Sequence, residues 1–288
     1  MARMCRFVLY LGPPLTVASL VTEPEHSLIN QSIHAKEREE PLNGDGFGVA
    51  WYAPEVADEP GLFRSVTPAW NNINLHRLAK VTRSGCILAH VRAATQSLAV
   101  SEANCHPFVH GAFAFMHNGD LGGFSRVRRA LAASLSDEAF ALVRGSTDSE
   151  HLFAMTVDRL GPQVHSSEAM AGALFRAVED ALSIAREAGV EEHSYLNIAM
   201  SDGRSAVACR VTTDVPEHAD SLYVHTGRGY ICERGVCRMI DAADGLGAVV
   251  VSSEPLSSDE GWTPVPVNHL VRVDSDRRVH FEAWPGRA

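Results

Sequence analysis

An α+β fold, with helices packed on antiparallel sheet, is what the order of elements in this sequence predicts. Strand-like runs come first, helical periodicities fill the middle, and strand-like runs return after residue 195. No internal repeat, low-complexity tract or linker divides the chain, and 45% apolar residues suffice for a sizeable core. A single domain over residues 1–288 is therefore expected.

Residues 7–11 read as a buried strand stopped by Gly12-Pro13-Pro14, and residues 15–21 as a short helix. The charge run Lys36-Glu37-Arg38-Glu39-Glu40 reads as a solvated loop. In Asn43-Gly44-Asp45-Gly46-Phe47-Gly48, three glycines permit backbone angles that side chains forbid. They make either a tight turn into a strand or a loop packed around a ligand. The spacing is not that of a dinucleotide-binding loop.

Residues 75–81 read as a helix and residues 86–91 as a core strand. That strand ends in Arg92-Ala93-Ala94-Thr95, which puts a cation and a hydroxyl at a strand end. His106 lies in the turn Asn104-Cys105-His106-Pro107-Phe108 without metal-ligand spacing, so a hydrogen-bonded structural histidine is expected. Residues 111–116 form a short aromatic strand that runs into His117-Asn118-Gly119-Asp120. Asn-Gly is a hairpin signal. It also pairs a side-chain amide with an unobstructed glycine N–H, the makings of an oxyanion hole.

Thr147 and Glu150 fit a helix capping box ahead of Phe153, Val157 and Leu160. The cap does not require Asp148, which is left to face a ligand's ammonium group. Met170, Leu174, Val178, Leu182 and Ala185 share one face of a longer helix and read as core. Strands are expected at 195–200, 206–211, 222–225, 247–251, 269–273 and 279–283.

Composition narrows the function. A net charge of −10 argues against a nucleic-acid partner. No run is apolar enough to span a membrane, and Gly12-Pro13-Pro14 breaks the N-terminal apolar run too early for a signal peptide. Six scattered cysteines read as buried or free thiols of a reducing compartment, with Cys232 and Cys237 too far apart for a C-x-x-C pair. A cytoplasmic protein is expected. No motif demands a metal or an organic cofactor.

Cys5 follows Met4 and precedes the first strand. Once the first four residues are absent, its thiol and a free α-amine share one carbon. These groups titrate near roughly 8.5 and roughly 7.7–8.0, so a nucleophile and its base come in one residue.

Taken together, six segments resemble the class II glutamine amidotransferases of the N-terminal-nucleophile hydrolase superfamily. They are Met4-Cys5-Arg6, the glycine-dense stretch at 43–48, Ala89-His90-Val91-Arg92-Ala93-Ala94-Thr95, Asn104-Cys105-His106-Pro107-Phe108, His117-Asn118-Gly119 and Thr147-Asp148-Ser149-Glu150, all in the family's order. Residues 27–32, Pro68-Ala69-Trp70-Asn71-Asn72, Ser252-Ser253-Glu254-Pro255-Leu256 and Trp262 further resemble the stand-alone branch. That branch includes a glutathione-degrading amidotransferase-like subunit and the ergothioneine-pathway hydrolase of γ-glutamyl-hercynylcysteine sulfoxide.

The resemblance implies a four-layer αββα sandwich and hydrolysis of a γ-glutamyl amide through a Cys5 thioester. It implies Cys5 as nucleophile and mature N-terminus, Asn118 and the Gly119 N–H as oxyanion hole, Arg92 with Thr95 on the glutamyl α-carboxylate, and Asp148 on the α-ammonium. Arginine grips a carboxylate through two parallel charge-assisted bonds, and an aspartate opposite selects a zwitterionic end. Ala93 stands where many relatives carry an aromatic residue, which suits a conjugate larger than glutamine; Gln96 stands where several carry histidine. The expected partner is a small γ-glutamyl substrate. The alternatives are a glutaminase subunit delivering ammonia to a separate partner synthetase, and a non-catalytic γ-glutamyl-binding protein.

Overall fold

A computed structural model describes residues 5–36, 42–93, 100–161, 166–233, 236–240 and 247–287. The first part of the chain runs β1 (Arg6–Thr16), α1 (Ala18–Val21), α2 (Leu28–Ile33), β2 (Phe47–Trp51), β3 (Gly61–Ser65), α3 (Ile73–Val81) and β4 (Arg83–Val91). It continues through β5 (Phe108–His110), β6 (Phe113–Asp120), α4 (Phe124–Ala133), α5 (Asp137–Phe140), α6 (Asp148–Leu160) and α7 (Ser167–Glu187). The last part holds β7 (Tyr195–Ser201), β8 (Ala206–Thr212), β9 (Tyr223–Gly227), β10 (Gly229–Glu233) and β11 (Val236–Ile240). It ends with β12 (Ala248–Ser252), β13 (Thr263–Pro264), β14 (His269–Val273) and β15 (Val279–Ala283).

Two antiparallel sheets dominate, with strand orders β13-β9-β12-β1-β4-β2-β3 and β15-β14-β8-β7-β6-β5. Alternation along each strand sorts side chains into three cores. Phe7, Leu9 and Leu11 of β1 pack with Ala114 and Met116 of β6 and Ala199 of β7, between the sheets. Val8 and Tyr10, on the opposite face of β1, pack with Leu20, Leu28 and Leu75 from α1, α2 and α3. Phe113 and Phe115, on the opposite face of β6, pack with Val127, Leu152 and Leu174 from α4, α6 and α7. The layers are helix, sheet, sheet, helix, the αββα sandwich that the resemblance implies. Among the described residues no helix is long and apolar enough to cross a membrane.

Three expectations are corrected. Gly12-Pro13-Pro14 does not stop β1. The pairing with β4 shifts register between Leu11 and Leu15 and resumes at Leu15–Ser84, so the chain bulges over the prolines, which need no ladder N–H there. Asn118-Gly119 is not a hairpin turn; both residues lie inside β6, opposite Asn197 and Leu196 of β7. Cys232 and Cys237 are not free. They face each other across the β10–β11 ladder and form a disulfide, because a short hairpin brings residues five apart into direct register.

Candidate active site

The first residue described, Cys5, directly precedes β1 and shares the alternation of Phe7 and Leu9, which face the space between the sheets. Among the described residues its Sγ hydrogen-bonds to the Ala93 carbonyl, 3.7 Å away, just past the end of the adjacent β4. Burial pushes the thiol up to about 11, against downward pulls from Ala93 O, Arg92 and Arg6 and an upward push from Asp148. The thiol is thus neutral near pH 7 and needs a base to become a nucleophile. The same charges show that Arg92 and Asp148, distant in sequence, both act on this sulfur.

Arg92 follows β4. Its N–H donates to Gly46 O at 2.8 Å, and its carbonyl accepts from Asp45 N–H at 3.0 Å. The glycine-dense stretch is thereby clamped to the strand end. A Cβ on Gly46, which has φ +125°, would lie 2.7 Å from Cys105 Sγ, and one on Gly48 would lie 2.1 Å from His106 O. Those glycines serve backbone packing inside the protein. The Arg92 guanidinium is buried, and its Nη1 has no hydrogen-bond partner among the described residues. Thr95 and Gln96 lie outside the described residues.

Asp148 opens α6. Thr147 caps the helix in a full capping box with Glu150, as the spacing predicts. Asp148 Oδ2 accepts from Leu121 N–H at 2.8 Å and Oδ1 from Ser149 N–H at 2.8 Å. These bonds hold the carboxylate beside the end of β6. Asn118 is 1% exposed, and its Oδ1 is unpartnered among the described residues. Gly119 has φ +135°, and a Cβ there would meet Tyr195 O at 1.8 Å, so only glycine fits. Asn118 thus faces the inter-sheet space from the second sheet, as Cys5 does from the first.

Three buried histidines, His90, His106 and His117, lie on the segments that carry the resemblance. His90 Nε2 bonds to His117 O at 3.1 Å, and burial lowers that imidazole to about 3. His117 Nδ1 lies 2.9 Å from Ser149 Oγ. His106 stacks on His90 at 4.2 Å, and neither ring nitrogen has a hydrogen-bond partner among the described residues. The hydrogen bonds expected of this histidine are absent among the described residues, and packing on His90 holds the ring instead.

One residue went unread in the sequence. Asp120, two positions beyond Asn118 on the same face of β6, has a buried Oδ1 with no hydrogen-bond partner among the described residues. Burial, then the Asp148 and Asp220 carboxylates, push it up to about 6. Period-two alternation through 116, 118 and 120 was the available signal, masked by the turn reading. A cleft of about 960 Å³ lies at the opposite ends of β6 and α6, between Tyr52, His110, Asp158 and Arg204, and borders none of these residues. No cluster of His, Cys, Asp or Glu able to hold a metal occurs among the described residues.

The family model described as "Glutamine amidotransferases class-II" matches residues 23–220. The chain is 38% identical to a probable glutamine amidotransferase of Saccharomyces cerevisiae, over 94% of this chain and 82% of that one. It is 29% identical to the γ-glutamyl-hercynylcysteine sulfoxide hydrolase of Mycobacterium tuberculosis, over 94% and 93%. Among solved structures, a glutamine aminotransferase class-II domain protein of Silicibacter pomeroyi superposes with a TM-score of 0.67 at 29% identity, covering 97% of this chain and 99% of that one. Glutamine phosphoribosylpyrophosphate amidotransferase of Bacillus subtilis shares the fold alone, with a TM-score of 0.61 at 13% identity, over 98% of this chain and 50% of that one. The chain belongs to the class II glutamine amidotransferases.

Proposed function

We propose that this enzyme hydrolyses γ-glutamyl amides through a thioester on Cys5, with Cys5 as the first residue of the working chain. The observation that carries the reading is the setting of Cys5: a buried Arg92 guanidinium, whose Nη1 has no hydrogen-bond partner among the described residues, and an Asp148 held by two backbone N–H groups both act on its sulfur. One charge matches an α-carboxylate and the other an α-ammonium, as a γ-glutamyl end requires. Thr95, outside the described residues, is proposed to share the α-carboxylate with Arg92.

The α-amine of Cys5 takes the thiol proton, and the sulfur attacks the γ-carbonyl carbon. The oxyanion lies against the Asn118 amide and the Gly119 N–H, donors worth roughly 3–4 kcal/mol each in comparable sites. As the C–N bond breaks, the amine passes its proton to the leaving nitrogen and the thioester remains. Water, deprotonated by the same amine, then releases glutamate and frees the thiol. Ala93 beside the sulfur leaves room for a leaving group larger than ammonia. The hydrolase name of the mycobacterial relatives supports a conjugate substrate.

The family's description favours a second reading, in which glutamine is the substrate and its ammonia passes to a partner synthetase. We also place the whole chain in one domain and in the cytoplasm. The free thiols at Cys5, Cys86, Cys105 and Cys209 support that location, and the Cys232–Cys237 bridge stands against it. Purified protein with a verified Cys5 N-terminus should release glutamate from glutathione or another γ-glutamyl peptide faster than from glutamine. Preference for glutamine, with activity rising when a synthetase is added, selects the second reading. No release from any γ-glutamyl amide refutes both.

A further inference from the structure

Two motifs picked out in the sequence, Met4-Cys5-Arg6 and Ser252-Ser253-Glu254-Pro255-Leu256, carry side chains that the reaction above does not use. In the fold they meet. Arg6 and Glu254 are 3% and 0% exposed. Arg6 Nε donates to Glu254 Oε1 at 3.0 Å, and Arg6 Nη1 donates to the Cys5 carbonyl at 2.9 Å. Glu254 Oε2 accepts from the Lys36 backbone N–H at 2.9 Å and lies 2.7 Å from His26 Nε2. Gln31 Nε2 donates to the carbonyls of His26 and Glu254, at 3.0 and 3.4 Å. Beside this network, Phe7 N–H donates to Ser253 Oγ and Ser253 N–H donates to Phe7 O, both at 3.0 Å.

The position of Cys5 explains why such a network is needed. The β1 ladder begins at Arg6–Val91 on one side and at Val8–Ser252 on the other. Cys5 therefore lies just outside the pairing on both edges. With its amine free, the residue is joined to the chain only through its carbonyl, and its Sγ adds one long hydrogen bond to Ala93 O at 3.7 Å. The Cys5 carbonyl is the group the Arg6 guanidinium holds. A buried ion pair is a poor way merely to stabilise a fold, because an apolar pair of similar volume does as well or better. A forked guanidinium bridging a fixed carboxylate and a backbone carbonyl defines a position.

We propose that Arg6 and Glu254 form a positioning clamp for Cys5: Glu254 fixes the guanidinium, and the guanidinium fixes the residue that bears the sulfur and the amine. Neither side chain touches the substrate. The inference rests on Cys5 being the nucleophile.

The test is the double variant Arg6→Met with Glu254→Gln in the full chain. It removes both charges together and keeps an amide for His26 and the Lys36 N–H. Three quantities are measured: thermal melting, the split between kcat and KM for glutamate release, and the rate of Cys5 alkylation by iodoacetamide. The clamp requires an unchanged melting temperature and KM, a kcat lower by about 10²-fold, as a misplacement of about 1 Å costs, and slower alkylation. A folded double variant with wild-type kcat and alkylation rate overturns it. Should the double variant not fold, Arg6→Lys replaces the fork by a single ammonium. It should lower kcat at constant KM, and a wild-type kcat there overturns the clamp equally. If wild-type protein with an open Cys5 cleaves no γ-glutamyl amide, the functional reading fails on its own, and alkylation still reports on the clamp.

Discussion

Replacing Arg92 by methionine separates a ligand-binding cation from a structural one. Arg92 is 3% exposed, with Nη1 lacking any partner among the described residues. A buried donor left unpaired costs about 1–3 kcal/mol, more when charged. Methionine keeps most of the stem and removes that cost. Stability should therefore hold or rise by about 1 kcal/mol, which for a domain somewhat smaller than this one is about 2–4 °C in Tm. Function should move the other way. Two charge-assisted bonds to an α-carboxylate, each worth about 1.5–3 kcal/mol, sum to about 3–6 kcal/mol. That is about 10²–10⁴-fold in kcat/KM. Differential scanning fluorimetry with and without a slowly turned-over γ-glutamyl ligand reads both effects, since the ligand should raise Tm of wild type and not of the variant. A variant that melts several degrees lower yet keeps wild-type kcat/KM would show Arg92 to be structural and would refute the reasoning.

Gly119→Ala should destabilise the protein by about 2–6 kcal/mol, from backbone strain at φ +135° plus overpacking against Tyr195 O, and should abolish activity; urea titration measures the first effect. Asp120→Asn should change the pH dependence of stability. The folded carboxyl is raised to about 6 from 3.8, so its contribution is complete below pH 4 and is lost as pH rises through 6. Wild type should thus lose up to about 3 kcal/mol relative to the variant between pH 4 and pH 7, and parallel stability–pH curves would exclude this. Peptide mapping without reductant should recover Cys232 linked to Cys237, with Cys86 and Cys209 alkylated only after unfolding.

The fold class was readable because strand-like runs bracket the helical periodicities, and because capping at Thr147 and the apolar face of α7 are local signals. Where local signals conflicted with distant pairing, pairing won. Asn118-Gly119 has hairpin chemistry, yet β7 supplies a full ladder from Ala114–Ser201 to Asp120–Tyr195, and the positive φ of Gly119 is accommodated inside it. Gly12-Pro13-Pro14 was overridden in the same way by β4. The helix α4 went unread because only Val127 and Leu131 of it are buried, too few to set a period. Cys5, Arg92, Asn118, Gly119 and Asp148 could be proposed because the motifs that carry the resemblance are short and local. The Arg6–Glu254 contact, across 248 positions, and the inter-sheet surroundings of Asp120 depend on which strands become neighbours, and no short window of sequence holds that information.

The most direct measurement is mass spectrometry of the native protein mixed with a γ-glutamyl substrate and quenched in acid within the first turnovers. Our reading requires a chain that begins at Cys5 and a γ-glutamyl adduct on that residue, absent from Cys5→Ala protein that still binds the substrate. An active chain that retains Met1 to Met4, or turnover by the Cys5→Ala protein, would contradict it.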